Sequence, residues 1–218
     1  VEKINNRLQE GMVELKNIGL VIIDEAHYNS FRKLFKYFED ANILGVTATP
    51  LSSNIKLPMK DHYKKLIVGE SISSLIAKKY LARAKVYSYD VSLRSLKLGI
   101  SGDYTVKSSD ELYSTQNMLG KLMEAYEEIA KGTKTLIFNN GINTSRYVYE
   151  VFKKAGYDIR HLDNKNTPSE RQEILKWFSE TPDAILTSVS ILTTGFDEPT
   201  VETIILNRAT RSLTLYFQ

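Results

Sequence analysis

"IGLVIIDEAHY", Ile18 to Tyr28, decides how the chain is read. Leu20–Ile23 is a run of branched and aliphatic residues of the kind a buried strand uses. It delivers two adjacent carboxylates, Asp24 and Glu25, to its end, with His27 just behind. Parallel α/β sheets collect ligands at the carboxyl ends of their strands, so the stretch predicts a strand whose exit is a site. There one carboxylate can hold a hydrated Mg²⁺ while its neighbour orients a water for in-line attack on a phosphoryl group. Mg²⁺ suits such a pair because it keeps several waters and needs few protein oxygens.

Outward from that stretch the pattern alternates. Ile43–Val46, Thr135–Phe138, Ala184–Thr187 and Thr203–Leu206 read as further strands. Between them lie helical spacings. Phe31, Leu34, Phe35 and Phe38 share one face, and Leu112 to Ile129 form a longer stripe ending near Gly132, with Ser108 and Glu111 as a capping box. A sharper box, Thr167, Pro168 and Glu170, opens a helix that turns Ile174, Leu175 and Phe178 inward, and Gly156 closes the helix begun near Thr144. Strands alternating with helices of this length predict parallel-sheet α/β units. The alternation breaks at "LGISGDYTVKSSD", a strand-and-loop connection, and a domain boundary is expected near Ala82–Lys85.

Composition narrows the function classes. The 218 residues are 42% hydrophobic and 25% charged, ordinary for a globular chain. No apolar run approaches the ~20 residues of a membrane span, and the opening "VEKINNRLQEG" lacks a signal peptide's apolar core. Neither membrane nor export is therefore expected, and a cytoplasmic setting is the default. With no cysteine there are no disulfides, thiol nucleophiles or thiolate zinc sites. Net charge is only +3, with 13 basic against 9 acidic residues up to Arg83 and 16 against 17 beyond it. A nucleic-acid partner would have to be held by local contacts rather than by a global field.

Two more polar segments follow predicted strands. "GVTATPL", Gly45 to Leu51, ends in small residues with two hydroxyls, Thr47 and Thr49. "LTTGFDEPTVETIIL", Leu192 to Leu206, offers Thr193 and Thr194 as donors to phosphate oxygens. In the same segment Gly195 permits close backbone approach to a ligand, and Asp197 is an acceptor for a ribose or an arginine.

In order and spacing these segments resemble the superfamily-two (DEAD/DEAH-type) helicases and translocases, whose motor is a pair of RecA-like domains. "VIIDEAH" is similar to their motif II and "VTATP" to motif III. "TLIFNNGINTSRYV" resembles motif IV, and "HLDNKNTPSERQEILKWF" the strand, turn and capped helix that usually follow it. "SVSILTTGFDEPTVETIILNRAT" is similar to motif V in the branch of type I restriction motors and phage repair helicases. The resemblance implies two RecA-like domains, residues 1–83 with motifs II and III and residues 84–218 with motifs IV and V. It implies ATP and Mg²⁺ as cofactors, Asp24 as the water-mediated Mg²⁺ carboxylate and Glu25 as the residue that activates water. His27, Thr47 and Thr49 become the set coupling hydrolysis to movement. Gly195, Asp197 and Gln218 become nucleotide-cleft residues, and Thr193, Thr194 and Asn139 nucleic-acid contacts. Arg208 and Arg211 read as structural or surface residues.

Two family parts are missing from the sequence. No Gly-Lys-Ser or Gly-Lys-Thr phosphate loop occurs; "KGTKT" at Lys131 lies at the wrong end and lacks the loop's first glycine. "TRSLTLYFQ" resembles the approach to motif VI, with Gln218 its first glutamine and the arginine finger expected four to seven residues later. The expectation is a portion of a longer ATP-dependent motor, the first domain truncated at its N-terminus and the second at its C-terminus, inactive alone as an ATPase. DNA is favoured over RNA as partner, a larger complex or additional domains are possible, and a bacterial or phage-infected cell is the expected setting. The alternative is a non-catalytic nucleic-acid-binding or scaffold module with a degenerate helicase fold.

Overall fold

The computed structural model describes residues 1–13, 15–52, 57–100, 102–192 and 196–217. It divides into two compact units meeting between Asp90 and Val91, a little beyond the expected Ala82–Lys85.

The first unit is built on a parallel pair, β1 (Leu20–Ile23) and β2 (Asn42–Gly45), in register from Leu20 with Asn42 to Ile23 with Gly45. Between them Asn29–Tyr37 is a 3-10 helix rather than the expected α-helix, burying Leu34. Helix α1 (Glu2–Gln9) and helix α2 (Ile72–Ala77) complete the unit, α2 capped by the Ser71 hydroxyl accepting from the Ser74 amide. Gly45 sits where two groups converge: a Cβ there would lie 2.6 Å from the Tyr63 ring and 2.8 Å from the Ala26 methyl. Only glycine lets β2 approach that closely.

The second unit is a four-stranded parallel sheet of β3 (Thr135–Asn139), β4 (Ile159–Leu162), β5 (Ile185–Val189) and β6 (Thr203–Asn207), in the order β4-β5-β3-β6. Period-two alternation splits its apolar residues between the faces. Ile137, Ile159 and Ile185 join Val148 and Phe152 of α5 (Ile142–Lys154) and Leu119, Leu122 and Tyr126 of the helix before β3. Leu136, Leu162 and Leu186 face the other way, onto Phe178 of α6 (Pro168–Glu180). Burial on both faces is why β3 and β5 read as nearly continuous apolar runs. The Thr167–Pro168–Glu170 capping box is present as predicted, both of its hydrogen bonds formed.

The stripe from Leu112 to Ile129 is not one helix. It breaks into α3 (Val106–Tyr113) and α4 (Gln116–Ala125), the latter running on as a π-turn to Ala130. Each has its own threonine cap, Thr105 and Thr115. Ser108, expected as a cap, lies inside α3, buried, with its hydroxyl accepting from the Lys97 amide at 3.0 Å. Competition from a second strong cap, Thr115, explains the break. The parallel-sheet α/β class expected from the alternation is the one found, and no helix among the described residues is long and apolar enough to cross a membrane.

Candidate functional site

In the first unit β1 ends with Ile23 buried and Asp24 exposed. The Asp24 carboxylate turns back to accept the Glu25 amide at 2.8 Å. Glu25 adopts a left-handed backbone, φ 51°, which for a non-glycine residue costs about 1–2 kcal/mol. Such positions persist where surrounding structure over-determines them, and they concentrate at functional sites. Here two backbone bonds impose the turn: Val46 N–H donates to the Ile23 carbonyl at 2.8 Å, and Ala26 N–H to the Val46 carbonyl at 3.0 Å. The exits of β1 and β2 are thereby tied together around Glu25.

His27 is buried behind the two carboxylates. Its Nδ1 lies 2.9 Å from the Thr47 hydroxyl and 3.4 Å from Glu25 Oε2. Thr47 Oγ1 accepts the Thr49 amide at 3.1 Å and donates to the Thr49 carbonyl at 3.2 Å. One assignment, with Thr47 donating to the Thr49 carbonyl, leaves the hydroxyl to accept from the ring and puts the His27 proton on Nδ1, toward Thr47 and Glu25. Thr49 is buried, and its own hydroxyl has no partner among the described residues. The structure thus brings Asp24, Glu25, His27, Thr47 and Thr49 into one cluster. Asp24 presents an exposed carboxylate, a donor type that fits Mg²⁺, which needs few protein oxygens. No group of three or more His, Cys, Asp or Glu side chains able to hold a metal gathers among the described residues.

In the second unit Asn139 is fully buried at the end of β3. Its carbonyl accepts from Asn207 Nδ2 at 2.8 Å and its amide donates to the Thr187 hydroxyl at 2.8 Å. Ser145 Oγ lies 2.8 Å from Thr187 Oγ1 and 2.8 Å from His161 Nδ1, and His161 Nε2 lies 3.1 Å from Asp163 Oδ2. One assignment, His161 protonated on Nε2, lets every member donate to the next from Asn207 to Asp163. The chain of bonds crosses all four strands, and each bond polarises its neighbours. A fully buried amide with both ends occupied organises strand ends. Ser145, His161 and Asp163 have the look of a nucleophile, base and orienter, but Ser145 is wholly buried and reaches no substrate. Burial of Asp163 would raise its carboxyl, but His161 and the Lys165 amide more than offset that and hold it below the usual range.

Asp197 is exposed. Thr193, Thr194, Gly195 and Gln218 lie outside the described residues. "KGTKT" is no phosphate cradle: Lys134 is buried, its ammonium donating to the Ser179 carbonyl and the Thr200 hydroxyl, both at 2.7 Å. Sequence reasoning missed Ser145, His161, Asp163, Thr187 and Asn207. They come from four separate segments, only His161 and Asp163 being sequence neighbours.

Two family models match. The helicase conserved C-terminal domain covers residues 116–218, and the res subunit of type III restriction enzymes covers residues 1–52. Together the matches support a superfamily-two helicase family for the chain. Among relatives of this helicase chain, a 51.5 kDa protein of Lactococcus phage (isolate 7-9) is 30% identical over 224 residues, spanning all of the chain and 48% of the phage protein. IRC3 of Saccharomyces cerevisiae, which bears an ATP-dependent helicase name, is 25% identical over 94% of the chain and 32% of its own length. The chain thus spans half or less of the relatives it matches. Among solved structures, S. cerevisiae Dbp5 bound to RNA and ADP BeF3 superposes with a TM-score of 0.53 at 16% identity, over 99% of the chain and 52% of that one. The likeness fixes the fold of the helicase chain as RecA-like.

Proposed function

We propose that the chain is part of an ATP-dependent motor that couples nucleotide hydrolysis to movement along nucleic acid, with residues 1–83 and 84–218 contributing to its two RecA-like domains. The observation that carries the reading is Glu25: a carboxylate held in a left-handed turn at the end of a parallel strand, beside Asp24, with buried His27 at 3.4 Å. Residues kept in such a conformation cluster at functional sites, which supports a chemical role for Glu25.

Asp24 supplies the carboxylate for Mg²⁺, through water, when nucleotide and metal are bound. The ion's contribution is to neutralise charge on the phosphates. Glu25 accepts a hydrogen bond from the attacking water and points it at the γ-phosphoryl group. His27 Nδ1–H shares its proton between the Glu25 carboxylate and Thr47, so displacement of the Thr47–Thr49 turn changes the hold on Glu25. The buried Thr49 hydroxyl, unpartnered among the described residues, is the group free to register a changed neighbour. Together they form the coupling set. Thr193 and Thr194 are assigned to the phosphates of the strand, and Gly195, Asp197 and Gln218 to the nucleotide side. Asn139 serves as the anchor of the strand ends.

DNA is the preferred track, a reading supported by the match to a restriction-enzyme subunit at residues 1–52. The chain alone is expected to lack ATP turnover, because phosphate loop and arginine finger supply much of the transition-state charge stabilisation. The test is Glu25→Gln in the intact protein. Hydrolysis should fall by about 10²-fold or more while ATP affinity stays within a few-fold. Turnover that survives the substitution, or that appears in the isolated 218-residue chain, refutes the reading. Stimulation by duplex DNA and not by RNA supports the preferred track.

A further inference from the structure

Helix α1 buries a single residue, and that residue is polar. Asn5 is 7% exposed, and its side-chain oxygen has no hydrogen-bond partner among the described residues. A buried amide left unsatisfied is destabilising, and in a native structure it calls for an explanation. With no partner to fix it, the amide can turn its N–H₂ group as readily as its oxygen toward a ligand.

Asn5 lines a cavity of about 390 Å³ between α1 and the Asn29–Tyr37 helix, together with Gln9, Arg32, Lys33 and Lys36. Gln9 follows Asn5 by one α-helical turn and Lys36 follows Lys33 by one 3-10 turn, so each pair shares a face. Gln9, Lys33 and Lys36 are exposed, so the cavity opens to solvent. No residue of the motifs quoted above lines it. Its charges are unevenly committed. Arg32 Nη2 donates to the Leu57 and Pro58 carbonyls, and Nη1 lies 4.0 Å from Asp61. Lys33 is paired with Glu2. Lys36 has no carboxylate partner among the described residues, and its ammonium lies 4.9 Å from the centre of the Tyr37 ring. Three cations thus stand against two carboxylates there, and the uncompensated charge is Lys36.

We propose that this cavity holds one phosphate of a nucleic-acid strand. Lys36 supplies the charge, Asn5 and Gln9 the neutral donors, and Arg32 a fixed positive wall. The inference rests on the motor reading above for the identity of its ligand. Phosphate oxygens accept from several directions at once, which suits an ammonium and two amides converging from two helices. The open mouth suits a backbone passing over the site, and a chain of net charge +3 must hold such a backbone through local contacts of this kind. The site lies wholly in the first unit and needs nothing from the second.

The experiment uses the intact protein, with affinity for duplex DNA and for single-stranded RNA measured between about 50 and about 200 mM salt. The variants are Lys36→Gln, Lys36→Arg and Asn5→Leu. Loss of one phosphate contact lowers the salt slope by about 0.9 on the duplex or about 0.7 on the single strand. The ratio of parent to Lys36→Gln affinity for duplex should therefore shrink about 3.5-fold across that range, and equally on unrelated sequences. Lys36→Arg keeps the charge and should keep the slope. Asn5→Leu separates binding from packing. It removes the unsatisfied amide and should raise hydrogen-exchange protection across α1, while affinity falls about tenfold at fixed salt with the slope unchanged. Equal slopes in the parent and Lys36→Gln, or full affinity in Asn5→Leu, overturn the inference and leave the motor reading standing. Inorganic phosphate is the second probe. If it protects α1 from exchange in the parent and not in Lys36→Gln while the two nucleic-acid slopes agree, the site takes a free ion and the strand assignment is overturned. A parent that binds neither DNA nor RNA overturns the motor reading as well.

Discussion

Gly141 offers a sharp test of how the second unit is assembled. Asp110, in α3, turns its carboxylate onto the start of α5, where Oδ1 accepts the Thr144 amide at 3.1 Å and the Thr144 hydroxyl at 2.7 Å. Gly141 is the N-cap of that helix and contributes no capping side chain. Its backbone, φ −131° and ψ 153°, is extended and open to any residue, yet a Cβ there would overlap the Asp110 carboxylate. The glycine is demanded by its neighbour rather than by its own conformation. Gly141→Ala must therefore expel the carboxylate, losing the charge-assisted bonds that cap the helix, worth about 1.5–3 kcal/mol. A net loss of about 0.5–2.5 kcal/mol follows, because the alanine also restricts the unfolded chain and returns about 0.4–1 kcal/mol. Asp110→Ala alone should cost a similar amount. With the carboxylate gone, the three atoms nearest the added methyl are gone too, so Gly141→Ala in that background should cost much less. Urea unfolding followed by the fluorescence of Trp177, the chain's single tryptophan, reports on this unit. An equal cost of Gly141→Ala with and without Asp110 would refute the reasoning.

Three further outcomes follow from the same geometry. Gly45→Ala drives a methyl into the Tyr63 ring and the Ala26 methyl and should destabilise the first unit by about 1–3 kcal/mol, seen as lost exchange protection at the Ala26 and Val46 amides. Lys134→Met leaves the Ser179 carbonyl and Thr200 hydroxyl without their buried donor and should cost roughly 1–3 kcal/mol in the Trp177-monitored transition. Asp103 and Asp163 both have carboxyls held low: burial opposes this at each, but Thr210, Arg211 and Tyr104 outweigh it at the first, and His161 and Lys165 at the second. Their stabilisation is complete above an unfolded carboxyl pKa of about 4 and is lost as pH falls through the lower folded values. An acid unfolding limb below about pH 4 should flatten in Asp163→Asn, and an unchanged limb would remove Asp163 from the account.

What was legible in the sequence was whatever chemistry sits within one segment. The strand at Leu20–Ile23, the Thr167 capping box and the Asp24–Glu25 exit each depend on neighbours a few residues apart, and each is found where the pattern placed it. The long stripe from Leu112 was misread as one helix because periodicity sees the apolar face and not the competing cap at Thr115. Asn139 was expected to be a nucleic-acid contact from the family resemblance alone. Its burial depends on Asn207 and Thr187, 68 and 48 residues away, and no local signal reports them. Asp103 was hidden for the same reason.

The two carboxylates of the opening stretch act as part of a larger unit than that stretch. Glu25 holds its turn because Val46 bonds to Ile23 on one side and Ala26 bonds to Val46 on the other, a clamp that closes only if β2 comes within reach of Ala26. Gly45 makes that approach sterically possible, so the residue preceding the clamp controls the backbone of the residue proposed to orient water. One residue beyond Val46, the Thr47 hydroxyl lies 2.9 Å from His27 Nδ1. A pull on the Thr47–Thr49 turn therefore reaches Glu25 by two routes, through the β2 backbone and through the imidazole. Separating them is feasible: His27→Phe removes the side-chain route and leaves the Val46 bonds intact. If both routes carry coupling, that variant should still hydrolyse ATP in the intact protein but should lose most of its stimulation by nucleic acid. Stimulation retained in full would assign the coupling to the backbone clamp alone.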